Sequence, residues 1–292
     1  MSTGMHIARI VAGAVLATAL TATIAPSAQA APEVRVVSTR AASESASVPQ
    51  SQAKQAAGVS RASAAPRAAF ITALYADFLS RQPSADDVAF WSAKLAAGAP
   101  RSIIADGFAN SDEYRTIRIE QAYQTVLGRD GEPAGIANWL EAMHRGAVTN
   151  DDIEKALFES DEFYLRAAAR YGMNPNDGSF LDTLYATILG REAMGGEGGF
   201  WLTASYAQMM SQNWMHPDLN STRPWLTDQI YGSTEAARRR VTTIYDRFLA
   251  RFPDESGLQL WAAADLSRGD SAVRAGFTAS DEYYQRASAR FA

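Results

Sequence analysis

A tyrosine and a tryptophan stand 16 residues apart at four places in this chain. The pairs are Tyr75 and Trp91, Tyr123 and Trp139, Tyr185 and Trp201, and Tyr245 and Trp261. Similar text surrounds the four tyrosines: FITALYADFLSR, IEQAYQTVLGR, FLDTLYATILGR and VTTIYDRFLAR. Self-similarity of this kind is typical of repeat architectures, in which each copy is one supersecondary unit. The sequence therefore predicts four tandem repeats.

Each repeat carries the pattern of about three short helices, so we expect an all-α fold. In the first repeat, Phe70, Leu74 and Phe78 share one helical face. Ser84 followed by Asp87 is the capping-box signal for a second helix. The repeats form either one compact body or two halves, residues 67–170 and 180–292. A helix break lies between the halves, because the proline of YGMNPNDG cannot continue a helix.

A serine followed by acidic residues recurs between the repeats, as Ser111-Asp-Glu, Ser160-Asp-Glu and Ser280-Asp-Glu. In the third repeat the corresponding text is Ser233-Thr-Glu. Serine accepts hydrogen bonds from unpaired amides at a helix start, and carboxylates in the first turn favour the positive end of the helix dipole. We interpret these motifs as helix starts.

The first 30 residues have the features of a secretory signal peptide. A weakly basic start is followed by the apolar run VAGAVLATALTATIA and by an Ala-x-Ala signal that ends at Ala30. We expect cleavage after Ala30, export to the extracellular space and no membrane span in the mature chain. Residues 31–66 are rich in Ala and Ser and lack aromatic residues, which predicts a disordered tether.

Composition and motifs exclude several classes of function. The chain has no cysteine, which removes thiol chemistry and disulfides, and its net charge of −5 argues against nucleic acid as a partner. His144 and His216 lack metal-binding spacing. Two acidic turns, at 129–135 and 253–257, have too few ligands for calcium. No motif for a nucleophile or a cofactor is present, so we expect neither metal nor cofactor and assign no catalytic residue.

The third repeat departs from the pattern by an insertion at about residues 206–232. It contains two tryptophans outside the repeat pattern and other large side chains, and an insertion in one copy often maps to the working face. The candidate partner-binding residues are Trp214, Trp225, Tyr206, Met215 and Tyr231. Alternatively, the insertion packs on its own helices. We interpret the eight repeated tyrosines and tryptophans as structural anchors, although a ladder of platforms for sugar rings is a second interpretation.

The repeat text resembles a bacterial repeat of secreted and surface proteins, the domain of unknown function of the 4214 type. The resemblance rests on LY…LGR…G…W…L…G…F…S-D-E-Y, covers residues 67–292 and is closest in IEQAYQTVLGRDGEPAGIANWLEAMHRG. The repeat text is also similar, more distantly, to the linker domain of phycobilisomes. The resemblance implies an α-helical fold and an extracellular setting, and it carries over no activity. Ala250 stands where the family has glycine.

Three hypotheses for function follow. The first is a secreted, non-catalytic interaction or scaffold module that binds a cell-wall, glycan or protein partner. The second is a secreted hydrolase with paired carboxylates in a cleft between repeats. The third is a structural protein that self-assembles through the faces of its repeats.

Overall fold

The computed structural model describes residues 50–213 and 222–291, which contain fourteen α-helices and no β-strand. The all-α prediction is confirmed. The helices are α1 (Gln50–Leu79), α2 (Ala85–Ala96), α3 (Arg101–Ala109), α4 (Asp112–Ala122), α5 (Pro133–His144), α6 (Asn150–Glu159), α7 (Asp161–Arg170), α8 (Asp177–Leu184), α9 (Glu197–Asn213), α10 (Thr222–Tyr231), α11 (Thr234–Leu249), α12 (Glu255–Arg268), α13 (Asp270–Thr278) and α14 (Asp281–Phe291). A π-helical turn extends α4 over Tyr123–Leu127 and α8 over Tyr185–Leu189. None of the helices in these ranges combines the length and the apolar character that a membrane span requires.

The N-terminal predictions fall mostly outside the described residues. The proposed signal peptide, residues 1–30, and the first part of the proposed tether, residues 31–49, lie outside them. Helix α1 begins at Gln50, so residues 50–66 are helical where the sequence predicted a disordered tether. The high alanine content of this stretch favours helix, even though Pro66 lies inside it.

The described residues pack into two hydrophobic cores. The first core contains residues of α1, α3, the start of α4 and α11–α14. Phe78 joins its two parts, because its ring lies 4.7 Å from that of Tyr114 and 5.2 Å from that of Phe248. The second core contains residues between Ile119 and Ala236. We call the stretches α1–α3, α4–α6, α8–α10 and α11–α13, each with one Tyr–Trp pair, the four segments. The first and last segments therefore share one core, and the two middle segments share the other.

This division differs from the predicted halves, 67–170 and 180–292. Helix α3 packs against α13, and α6 packs against α10, so the third helix of each segment contacts its counterpart in another segment. Repeats with similar apolar faces can pair in more than one way, and their sequence does not specify which faces meet. The packing of α3 on α13 brings the two ends of the repeat region together.

A buried ionic network joins the two cores. Arg118 of α4 lies 2.9 Å from Glu154 of α6 and 3.2 Å from Asp270 of α13. Arg274 donates a hydrogen bond of 2.5 Å to Asp270, whose side chain is 1 % exposed. Burial raises the pKa of Asp270, but Arg274 and Arg118 outweigh it and hold that pKa below its ordinary value. Asp270 therefore stays ionised between two guanidinium groups.

Candidate functional site

The turn after each repeated tyrosine has the same unusual backbone conformation. The residue before each arginine of the turn has a positive φ: 54° at Ser80, 60° at Gly128, 68° at Gly190 and 44° at Ala250. Side chains other than glycine rarely adopt this left-handed region. The LGR text of the second and third segments is thus explained by backbone geometry, and Ser80 and Ala250 reach the same geometry with a Cβ atom.

The arginine after this residue makes the same contact in all four segments. Its guanidinium lies over the ring of the tyrosine, at distances of 4.7, 5.2, 5.1 and 4.8 Å for Arg81, Arg129, Arg191 and Arg251. It also forms two parallel hydrogen bonds with a glutamate carboxylate. The glutamates are Glu113, Glu162, Glu235 and Glu282. We call this arrangement the Tyr–Arg–Glu contact.

The sequence analysis missed the role of these glutamates. The serine motifs do start helices, and Ser111, Ser160 and Ser233 accept hydrogen bonds from backbone amides as predicted. The glutamate two positions later additionally binds the arginine, and this hydrogen bonding lowers the pKa of Glu162. The signal was present, because the arginine and the glutamate recur in every repeat.

The four repeated tyrosines are at most 5 % exposed, so no ring face is open for a sugar. Trp139 is buried and its Nε1 atom lies 3.3 Å from the Tyr123 hydroxyl. Trp201 donates a similar bond of 2.6 Å to Tyr185, although Trp201, like Trp91 and Trp261, is only half-buried. The four tyrosines and Trp139 therefore lie in the cores, and the other three repeated tryptophans pack against them while half-buried. Their role as structural anchors stays a prediction.

The predicted partner-binding residues are not all at one site. Trp214 and Met215 lie outside the described residues. Trp225 is half-buried, with its ring 5.9 Å from that of Trp201. Tyr206 is 46 % exposed. The structure therefore brings Trp225 to a repeated tryptophan and leaves Tyr206 at the surface.

The assignment of Tyr231 to a binding surface was wrong. Tyr231 is 6 % exposed, packs in the second core, and its hydroxyl bonds to Glu154 at 2.9 Å and Asp151 at 3.1 Å. Burial and these two carboxylates raise its pKa well above the ordinary value. The reason is that α10 is the third helix of its segment: Ile230 precedes Ser233 by three residues, as Phe108 precedes Ser111. The extra residues of this segment therefore lie before α10, and the insertion does not extend to residue 232.

An uncharged apolar surface remains on α9. Phe200, Tyr206 and Met210 are 63 %, 46 % and 64 % exposed, and Thr203 lies between them in an exposed position. Their spacing of three, three and four residues places them on one side of the helix. We call these four residues the α9 face. Phe200 and Met210 were not among the predicted site residues, because Phe200 directly precedes a repeated tryptophan.

Asp177 fixes the surroundings of this face. Its carboxylate, at the start of α8, accepts hydrogen bonds from Tyr206 at 2.9 Å, Thr222 at 2.9 Å and Tyr164 at 3.1 Å. The bond to Asp177, together with burial, raises the pKa of Tyr206. The hydroxyl of Tyr206 is thus held in place, while the residue as a whole stays exposed.

The described residues contain no group of three or more His, Asp or Glu side chains that could hold a metal ion. His144 contacts Asp112 at 2.7 Å on the surface, an acid that sequence analysis had not assigned to it. His216 lies outside the described residues.

Comparison with known proteins gives one match. Residues 56–117 and 119–167 each match the model of a domain of unknown function, DUF4214. These two stretches are therefore similar to that domain. The resemblance named from the repeat text is confirmed for this part of the chain, which carries the first two Tyr–Trp pairs. The searches of curated proteins and of solved structures found no match.

Proposed function

We propose that this protein is an exported, non-catalytic interaction module that binds another extracellular protein through the α9 face. The observation that carries the proposal is the exposure of Phe200, Tyr206 and Met210 along one side of one helix. Contiguous exposed apolar side chains mark interaction sites, and aromatic and methionine residues are enriched at protein interfaces. The sequence features of a signal peptide support the extracellular setting.

The chemistry of the face favours a protein over a glycan. A sugar presents many hydroxyl groups, and a site that selects it needs donors and acceptors placed around it. The Phe200 side chain has no hydrogen-bonding group, and the Met210 thioether is only a weak acceptor. The Tyr206 hydroxyl already donates to Asp177. α9 also contains no lysine or arginine. An apolar protein surface is the better complement.

The hydrolase alternative has less support from the geometry. A paired-carboxylate mechanism needs two carboxyl groups facing the substrate. Asp151 and Asp270 are neighbours, since Asp151 Oδ2 accepts a hydrogen bond of 3.1 Å from the Asp270 amide. The Asp270 side chain, however, is 1 % exposed and engaged by Arg118 and Arg274. Its carboxylate is therefore paired with two arginines and is not available as an acid or base. Binding is the function that we propose.

The test compares a double variant of the α9 face with a single variant at the position of the first segment that corresponds to Phe200. Phe200→Ser with Met210→Ser alters the α9 face, and Phe90→Ser alters the equivalent position of the first segment. Phe90 and Phe200 each precede a repeated tryptophan and each contact its ring edge-on at 5.1 Å. Each purified protein is immobilised and incubated with proteins secreted by the source organism. We expect wild type and Phe90→Ser to retain the same partner and the α9 double variant to lose it.

Two further measurements separate the competing functions. Sedimentation with insoluble cell walls tests glycan binding, and light scattering against concentration tests self-association. Pelleting of all three proteins with cell walls, without a retained protein partner, would contradict the proposal. The light-scattering mass could also rise with concentration for wild type and Phe90→Ser but not for the α9 double variant. That result would identify a second copy of this chain as the partner.

A further inference from the structure

A cavity of about 280 Å³, which no residue of α9 lines, lies where six helices of the two cores meet. Its walls come from α3, α4, the end of α5, the turn before α6 with the first residues of that helix, and the turn between α12 and α13. It follows that the cavity is formed only when the first and last segments of the repeat region pack together. Its volume is at the lower end for ligand pockets, which restricts a ligand to a small molecule.

One set of lining groups accepts hydrogen bonds. The carboxylate of Asp106 forms no ion pair within the described residues, and Asp151 lines the same cavity. The side-chain oxygens Asn150 Oδ1 and Asp270 Oδ1 are buried and receive no hydrogen bond from the described part of the chain. Buried acceptors without donors cost free energy. An ammonium group in this cavity would offer donors to this set.

A second set of lining groups carries positive charge. Arg115 is 20 % exposed, and its nearest carboxylate, that of Asp112, is 3.7 Å away, longer than a good hydrogen bond. The Nε atom of Arg115 is buried without a partner in the described chain. Arg268 also lines the cavity and forms no ion pair among the described residues. These two guanidinium groups are available to a carboxylate, which arginine binds with two parallel hydrogen bonds.

We propose that this cavity binds a small zwitterion, a free amino acid or a dipeptide, with its carboxylate at Arg115 and Arg268 and its ammonium group at Asp106 and Asp151. The presence of both charges among so few lining residues is the basis of this assignment. An anion alone would leave the Asp106 carboxylate without an ion pair, and a cation alone would leave Arg115 Nε and the Arg268 guanidinium without a partner in the described chain. Met143 and Val148 supply apolar contacts for the remainder of the ligand.

Titration calorimetry on the full mature chain tests the assignment with three matched probes. Dialanine has both charges, N-acetyl-dialanine lacks the ammonium group, and dialanine amide lacks the carboxylate. We expect dialanine to bind and each of the other two to bind at least about tenfold more weakly, since one charged contact of about 1.4 kcal/mol or more is lost. A Kd for dialanine above about 10 mM would overturn the proposal, and so would equal binding of N-acetyl-dialanine or dialanine amide.

Two variants locate the site. Arg268→Gln removes an exposed guanidinium that makes no ion pair in the described residues, so the fold should persist. Arg170→Gln is the control, because Arg170 is exposed at the end of α7 and does not line the cavity. We expect Arg268→Gln to weaken dialanine binding at least about tenfold and Arg170→Gln to leave it unchanged. Equal dialanine binding by wild type and Arg268→Gln would place the ligand elsewhere and contradict the proposal.

Discussion

The Tyr–Arg–Glu contact occurs with the same residue types four times in the described residues, whereas the α9 face is the one place there where exposed Phe, Tyr and Met side chains follow one another along a helix. Each contact combines a buried tyrosine ring with a charged pair, and its geometry is nearly the same in every copy. The α9 face is uncharged, exposed and part of the segment whose length departs from the others. From this difference we expect the repeated contacts to stabilise each segment, and we propose the α9 face as the surface that binds a partner.

The largest effect should come from a repeated aromatic residue in a core. Trp139→Ala removes a ring that is 6 % exposed and packs in the second core. We expect the free energy of unfolding to fall by about 3–5 kcal/mol, measured by urea denaturation. Asn138→Ala, at the exposed neighbouring position, is the control and should change it by less than about 0.5 kcal/mol. A small effect of Trp139→Ala would contradict the anchor role.

The left-handed turn residues distinguish copies with glycine from copies without it. Gly190→Ala should lower the free energy of unfolding by about 1–2 kcal/mol, because φ is 68° and the new Cβ would overlap the guanidinium of Arg239. Ala250→Gly should raise stability by up to about 1 kcal/mol, since it relieves the same backbone strain. Both are measured by urea denaturation. Effects of the same sign in both variants would refute the shared geometry.

The Arg129–Glu162 pair tests whether the repeated ionic contact stabilises its segment. Both side chains are about one-third exposed, so we expect a coupling energy of about 1 kcal/mol, above that of most surface pairs because the contact is bidentate. A double-mutant cycle with Arg129→Ala and Glu162→Ala measures it. Glu141 and Arg145, an exposed pair one turn apart on the surface, should give a smaller coupling. If the effects of Arg129→Ala and Glu162→Ala on the free energy of unfolding are additive, the pair does not stabilise its segment.

Two glutamates three residues apart should respond to pH in opposite directions. Burial, with nearby Asp228, raises the pKa of Glu159 from 4.5 to about 6, so its contribution to stability is present below pH 4.5 and lost as pH rises through 6. Arg129 lowers the pKa of Glu162, whose contribution is present above pH 4.5 and lost as pH falls.

The substitution Glu159→Gln isolates the first of these effects. We expect it to stabilise the protein relative to wild type by about 1 kcal/mol at pH 7.5, after allowance for the partial exposure of Glu159, and by much less at pH 4. Urea denaturation at both pH values measures the difference. If Glu159→Gln stabilises the protein more at pH 4 than at pH 7.5, the pKa of Glu159 is not raised by folding.

The sequence predicted the local elements well because they depend on neighbouring residues. The capping role of Ser84 with Asp87 and the helix start after Ser160 follow from residues within one turn. The left-handed turns at Gly128 and Gly190 are equally local, because glycine adopts a positive φ readily, but the sequence analysis did not predict them. Contacts between distant residues were not accessible in this way.

Pairing of the segments and burial of Tyr231 required the fold. Helix α3 packs on α13, although more than 150 residues of sequence separate them, and no local pattern specifies this choice. Tyr231 looked like a surface residue because it was counted with the insertion, but α10 carries it into the second core. Phe200 escaped notice for the opposite reason, since it lies inside the repeat text and is nevertheless exposed.

The most direct test of the account is the stability of the double variant Phe200→Ser with Met210→Ser. If the α9 face is free in the folded protein, polar side chains there should change the free energy of unfolding by less than about 0.5 kcal/mol, as Phe90→Ser should in the first segment. Urea denaturation of wild type and both variants gives this result without knowledge of the partner. A loss of about 2 kcal/mol or more in the double variant alone would show that the face is packed within the protein. That result would contradict its role as a binding surface.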